Sequence, residues 1–253
     1  MGMKLIAAAD YQDMSQKAAS IFLKQMEQKK QSVLGLATGG TVKGVYSELV
    51  DVFIEGEISF AEAASFNLDE YFGMKKEDPN SYFSYMQEQF FSKTDFALER
   101  NHIPDGTAAD PMEECSRYDR LIEQAGGVDL QLLGIGENGH IGFNEPGTPF
   151  EIGTHLVRLT ESTRQANARY FETMAQVPKE AITMGIGTIM KSRKIVLLAS
   201  GVKKAGAIEQ LWYGEVTEDF PASVLKQHPD ATIIADKEAL SGIRMDGKGE
   251  LHQ

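Results

Sequence analysis

Short strand-like apolar runs at residues 4–8, 32–37, 63–67, 129–135, 155–159, 194–199 and 232–235 recur along the chain, with amphipathic helical patterns between most of them. Strands that alternate with helices are joined by crossover connections, so the pattern predicts an α/β fold built on a parallel, doubly wound sheet. A chain of 253 residues, 42% of them hydrophobic, buries one full core and is read as a single domain without internal repeats or linkers. The last residues, 246–253, are polar and are expected to fray. The first helix, expected over 13–29, sets Ala18, Ile21, Phe22 and Met26 on one stripe and its lysines near the C-terminal end, where they suit the helix dipole. It is assigned a structural role.

The run Leu130, Leu132, Leu133 and Ile135 reads as a strand covered on both faces, and it breaks off into a glycine-rich segment carrying His140 and Glu145. Loops at the carboxyl ends of such strands are where open α/β sheets bind ligands. Gly134, Gly136 and Gly139 spell GxGxxG, but the dinucleotide motif needs a helix beginning among its glycines, and Gly142, Pro146, Gly147 and Pro149 follow instead. The nucleotide reading is set aside. Two readings stay open: the glycines let backbone approach a ligand with His140 and Glu145 facing one site, or this is a plain turn with a satisfied His and a solvated Glu.

Other strand ends carry candidate chemistry. Thr38, Gly39, Gly40 and Thr41 form a turn between a strand and an amphipathic helix, with Thr41 as the expected N-cap. Its amides would hold an anion, and without GK[ST] a small-metabolite phosphate is favoured over a nucleoside triphosphate, the plain alternative being a structural turn. The run 64–72 contains Asp69 and Glu70, whose side chains face opposite ways in an extended segment. One is expected in the site and the other as a structural or solvated group; Asp69 reads either as a general base there or as a helix or turn cap. Ser81 or Asn80 is expected to cap a helix whose Phe83, Met86 and Phe90 face the core, and 110–125 to form another helix. Arg164 and Arg169 fall on a helical segment, where arginine is usually solvated, and 177–187 reads as a short strand that breaks at glycines. Ser200 to Ala205 repeats the strand, glycine and helix-start arrangement, with Lys203 and Lys204 at the turn.

A formal net charge of -12 and a pI near 4.9 argue against nucleic acid or an acidic membrane surface as partner, so an anionic ligand must be held by a few local cations. The single cysteine, Cys115, excludes an internal disulfide and a cysteine metal cluster and fits a reducing compartment. The N-terminal apolar stretch is interrupted by Asp10 too early for a signal peptide, and no apolar run approaches a membrane span, so a cytoplasmic location is expected.

The strings GLATGGT, FNLDEY, NSYFSYM, LLGIGENGHIGFNEPG, TRQANARYF and SGVKKA resemble the glucosamine-6-phosphate deaminase family. GHIGFNEPG and FNLDEY are specific, and the agreement covers nearly the whole chain. The resemblance implies a modified doubly wound, mostly parallel sheet with helices on both faces, a deaminase/isomerase domain over 1–245 and a tail over 246–253. It implies conversion of glucosamine 6-phosphate and water to fructose 6-phosphate and ammonia without a metal or redox cofactor, the partner being only the small amino-sugar phosphate. By resemblance Asp69 shuttles the proton between C2 and C1, His140 moves a proton to the ring oxygen, Glu145 orients it, and Thr38, Gly39, Gly40, Thr41, Arg169 and Lys204 bind phosphate. Asn138 stands where some members have Asp, which implies a polar rather than an ionic part in ring opening. His155 and Val157 stand where allosterically activated members are basic, and those members have a longer C-terminal tail; no such activation, and a monomer or small homo-oligomer, are expected. Rival readings are galactosamine 6-phosphate as substrate, hydrolysis of 6-phosphogluconolactone on the same fold, and a sugar-phosphate-sensing domain. The sensor would need a DNA-reading helix pair, which is not expected beside an acidic charge and a first strand at Lys4.

Overall fold

The computed structural model describes residues 2–244; Met1, Met245 and the tail expected at 246–253 lie outside the described residues. In chain order the elements are β1 (Lys4–Ala8), α1 (Tyr11–Gln28), β2 (Val33–Leu36), α2 (Lys43–Ile54), β3 (Ala64–Asn67), β4 (Asp69–Tyr71), α3 (Tyr82–Gln89), β5 (Asn101–His102), α4 (Pro111–Gln124), β6 (Leu130–Gly134), β7 (His155–Arg158), α5 (Glu161–Asn167), β8 (Glu180–Thr183), α6 (Ile186–Met190), β9 (Ile195–Ala199), α7 (Ala205–Tyr213) and β10 (Ala231–Asp236). Seven strands form one parallel sheet in the order β1-β10-β9-β6-β2-β3-β5. The connections β1-α1-β2-α2-β3 step toward one edge, and α4 returns the chain from β5 to β6 in the opposite direction. Right-handed crossovers that run in opposite directions place their helices on opposite faces, which is why α1 and α2 pack on each other while α4 covers the other side.

The central strands β2, β6 and β9 are buried along almost their whole length, as their continuous apolar sequence requires. On α1, Ala18, Phe22 and Met26 enter the core and Ile21 packs against it, but the helix begins two residues earlier than expected, capped by Asp10, and its last turn carries no lysine. The expected dipole contribution is absent because Lys29 is the C-cap, and it pairs instead with Asp129 at 2.7 Å. Ser81 caps α3, accepting from the Ser84 N–H. Tyr46, Phe60, Phe90 and Phe96 form an aromatic cluster beneath α2 and α3, with centroids 5.2–5.4 Å apart across the pairs Tyr46–Phe90, Phe60–Phe90 and Phe60–Phe96. Such pairs add about 0.5–1.5 kcal/mol each beyond area burial. The Tyr46 hydroxyl donates to the Ala37 carbonyl at 2.6 Å and so fixes the end of β2.

Two features depart from the sequence expectation. The run at 155–159 does not join the main sheet: β7 pairs antiparallel with β8, and β8 with β4, in a separate three-stranded sheet. The run 64–72 is likewise two strands, because the chain changes sheets at Leu68. Its N–H still donates to Leu36 of the main sheet, while its carbonyl accepts from Met184 beside the small one.

Candidate active site

The parallel sheet reverses direction between β2 and β6, since the chain runs from β2 toward β3 and from β6 toward β9. Loops at the carboxyl ends of the strands flanking such a switch point enclose a crevice. Four of them meet here: 38–41 after β2, Asp69 after β3, 136–147 after β6 and 200–204 after β9. Every site residue singled out in the sequence except Arg169 lies on one of these loops, and Arg169 comes from the one-turn 3-10 helix that follows α5.

No helix follows β6, in keeping with the proline and glycine content of the loop. Gly136 and Gly139 are needed there for space. A Cβ on Gly136 would fall 2.3 Å from the His140 ring, and one on Gly139, whose φ is +84°, the same distance from the Phe220 ring. The imidazole therefore folds back over the Gly136 backbone. His140 Nδ1 lies 2.8 Å from Asn138 Oδ1, and Asn138 Nδ2 donates to Glu145 Oε2 at 2.7 Å. With an amide oxygen facing it, Nδ1 carries the hydrogen, which leaves Nε2 as the basic nitrogen. Glu145 is buried and also accepts from the Thr163 hydroxyl on α5, with the Thr160 hydroxyl at 3.3 Å. Burial works against its charge, but the donors from His140, Thr163 and Asn138 together outweigh it and bring the carboxyl down to about 2. Glu145 is thus a fixed negative charge 3.6 Å from His140 Nδ1.

Asp69 and Glu70 turn opposite ways, with opposite consequences. Glu70 accepts three backbone N–H groups, Tyr71 at 2.9 Å and Tyr82 and Phe83 at 3.0 Å, and so caps the N-terminus of α3. Asp69 is only 6% exposed, and its carboxyl has no hydrogen-bond partner among the described residues. Burial, reinforced by repulsion from Glu70, pushes its carboxyl up to about 8.

The 38–41 turn is held from behind by two tyrosines: Tyr85 donates to the Gly39 carbonyl and Tyr11 to the Gly40 carbonyl, each at 2.9 Å. The Tyr11 hydroxyl also accepts the Gly44 N–H at 2.8 Å. Thr41 is not the cap of α2. The helix starts at Lys43, after Val42, and has no side-chain cap; Gly44 already donates to Tyr11 and Val45 to the Val42 carbonyl, which leaves the Lys43 amide and the amides of the turn available for an anion. Lys204 stands at the start of α7 on a turn tied down by Asp236, which accepts from Ser200 Oγ and the Gly201 N–H. Burial, with the charges of Arg169 and Lys203, pushes the Lys204 amine down against an opposing pull from Glu137. Arg169 is exposed, lies over the Tyr170 ring at 4.8 Å and is close enough to Lys204 for the two like charges to interact. Arg164 is not a solvated arginine, since its guanidinium donates to the carbonyls of Met174, Val177 and Pro178 and ties together the two ends of the segment after α5.

Sequence reasoning missed Thr163 and the tyrosines Tyr11, Tyr82 and Tyr85. The only available signal was the density of hydroxyl residues in NSYFSY and TEST, which does not say what they face. A cavity of about 250 Å³ lined by Arg158, Leu159, Glu161, Arg164 and Lys179 lies away from this crevice, at the root of α5. Among the described residues, no group of three or more His, Cys, Asp or Glu is placed to hold a metal ion, and no helix is long and apolar enough to cross a membrane.

Comparison with known proteins points the same way as the geometry. A glucosamine-6-phosphate deaminase of Bacillus velezensis is 54% identical over 240 residues, covering 95% of this chain and 100% of the relative. One of a Geobacillus species is 55% identical over 239 residues, covering 94% and 95%. A solved monomeric glucosamine-6-phosphate deaminase superposes with a TM-score of 0.93 at 50% identity, covering 95% of this chain and all of the other. A 6-phosphogluconolactonase of Trypanosoma brucei shares the fold at 19% identity and a TM-score of 0.78, covering 95% of this chain and 98% of its own. Residues 7–234 match the family described as glucosamine-6-phosphate isomerases/6-phosphogluconolactonase, and with relatives above 50% identity over nearly its whole length the chain belongs to that family.

Proposed function

We propose that the protein converts glucosamine 6-phosphate and water to fructose 6-phosphate and ammonia. The observation that carries this reading is the buried, unpartnered Asp69 carboxyl raised to about 8, set at the same sheet edge as a second, separately tuned group, His140. A closed pyranose has no acidic C2–H, so one acid–base group must open the ring and another must remove the C2 proton, and two such tasks call for groups in different environments. His140 takes the O1 proton and gives one to the ring oxygen, with Asn138 and Glu145 holding its Nδ1 side. Asp69 removes the C2 proton, and one ammonium proton passes to O1 to give the neutral enolamine. Asp69 then returns its proton to C1, which leaves an iminium at C2. Water adds there, and ammonia leaves. The phosphate, held by the 38–41 amides with Lys204 and Arg169, anchors the far end, so that binding energy remote from the reaction positions the reacting carbons.

A lactonase needs no base at C2, and Asp69 favours the deaminase over it. The test is ammonia release by the purified protein from glucosamine 6-phosphate, with galactosamine 6-phosphate and 6-phosphogluconolactone in parallel. Release from the gluco sugar supports the reading, whereas hydrolysis of the lactone alone overturns it. With His155 and Val157 at the positions that the resemblance makes basic in activated members, hyperbolic kinetics from a cytoplasmic monomer or small homo-oligomer are expected.

Asn138 gives a sharper test of the His140 role. Its amide oxygen lies 2.8 Å from Nδ1 and carries no net charge. Asn138→Asp places a negative charge there and favours the imidazolium, so the pH optimum for ammonia release moves upward. An unchanged pH profile in that variant would remove His140 from the proposed role.

A further inference from the structure

Two phenols beside Asp69, the buried Tyr71 and the half-buried Tyr82, have no part in the reaction as described. Tyr71 lies two residues after Asp69 on β4, so the two side chains share one face of the strand. Tyr71 is 2% exposed and is held by three rings, with centroids at 4.7 Å to Tyr82, 6.0 Å to Phe143 and 5.9 Å to Phe171. The Tyr82 hydroxyl donates to the Tyr71 oxygen at 3.2 Å. The two hydroxyls therefore form a relay with one direction, from Tyr82 to Tyr71. Each hydroxyl has a single hydrogen to give. The Tyr71 hydrogen is the free end, and no acceptor for it is present among the described residues. Burial, with Asp69, Glu70 and Tyr170 nearby, raises the Tyr71 phenol well above its ordinary range against the opposing bond from Tyr82, so it stays a neutral donor at any working pH.

We propose that Tyr71 is a further catalytic residue, its hydroxyl donating a hydrogen bond to substrate O1 as that oxygen becomes negative on loss of the C2 proton. This rests on the deaminase reading above. Asp69 takes the proton from C2, the charge left behind spreads through C1 onto O1, and Tyr71 stands on the same face of the strand as the base. No proton leaves Tyr71; it stabilises the enolate until the neighbouring ammonium protonates O1. The donor arriving from Tyr82 polarises the terminal O–H and strengthens what it can give.

The test compares wild type, Tyr71→Phe and Tyr82→Phe for kcat, KM and the pH profile of ammonia release from glucosamine 6-phosphate. Phe keeps the ring packing of Tyr71. Loss of one oxyanion donor predicts kcat lower by about 10²–10³-fold in Tyr71→Phe, with KM within twofold and the ascending pH limb unmoved. Tyr82→Phe leaves Tyr71 in place but removes the bond that feeds it, and is expected to lower kcat by about 3–10-fold, the worth of one hydrogen bond. A Tyr71→Phe kcat within threefold of wild type overturns the proposal. So does an upward move of the ascending limb, which would mean that the hydroxyl serves Asp69 rather than O1. If Tyr71→Phe does not fold, an unchanged kcat in Tyr82→Phe overturns it. Absence of ammonia release by the wild type is a different result, for it removes the deaminase reading itself and the proposal with it.

Discussion

Asp69→Asn is expected to abolish ammonia release while making the protein more stable. The activity loss follows from the proposed role of Asp69 as the base that takes the C2 proton, and general-base removal lowers kcat by about 10²–10⁴-fold. The stability gain follows from the environment that makes Asp69 a base. Its folded carboxyl sits at about 8 against 3.8 in the unfolded chain, because burial and the Glu70 charge both disfavour the anion. Below pH 4 both states hold the proton and the site carries no penalty. Between pH 4 and 8 the unfolded chain releases its proton while the folded one keeps it, so stability falls as pH rises, by up to about 1.4 kcal/mol per pH unit. An amide at this position does not titrate. The variant should therefore melt with wild type near pH 4 and well above it at pH 8, on the order of 5 °C or more for a stabilisation of a few kcal/mol in a chain of this size. Melting curves at the two pH values check this; a variant less stable at both would mean that Asp69 is a structural acid. Wild-type kcat/KM is expected to rise with pH along a limb centred near the same value, about 8, since only the anion can accept the proton.

The neighbouring substitution, Glu70→Ala, is expected to do the opposite. It strips the acceptor from three backbone N–H groups, those of Tyr71, Tyr82 and Phe83, two of them in the first turn of α3. Each such donor left without a partner costs about 1–3 kcal/mol, and the helix loses an anion at its positive end. A destabilisation of about 3–5 kcal/mol is anticipated, read as a melting temperature lower by roughly 10 °C. Glu70→Gln retains an acceptor oxygen and should lose less than half as much. Since α3 also carries Tyr82 and Tyr85, which reach Tyr71 and the Gly39 carbonyl, activity should fall with the loosening of the helix. A Glu70→Ala protein as stable as wild type would show that the cap is dispensable.

That adjacent acids take opposite roles was legible only as an alternation: the sequence indicated that one of the pair faces the site and the other does not. Strand periodicity says that neighbours diverge, but which way each goes is settled by α3, whose first turn arrives twelve residues later and offers its amides to Glu70. The tie between Glu145 and Thr163, eighteen residues apart, has no signature in spacing either. Thr41 looked like a helix cap because it follows two glycines, whereas α2 begins only after Val42. Arg164 looked solvated because a helix surface usually is, and the carbonyls it reaches belong to chain that folds back over α5.

By itself the sequence determined the parallel sheet, its buried central strands and the loops that carry Thr38, Asp69, His140, Glu145 and Lys204. A strand buried on both faces must be apolar throughout, and the chain must break into glycine or polar residues where it leaves the sheet. Only the tertiary structure decided the second sheet of β4, β7 and β8, the separate environments of Asp69 and Glu70, and the hydroxyl pair of Tyr82 and Tyr71. Each of these depends on which distant backbone or side-chain groups share a low-dielectric space, and that proximity is set by packing, not by local spacing.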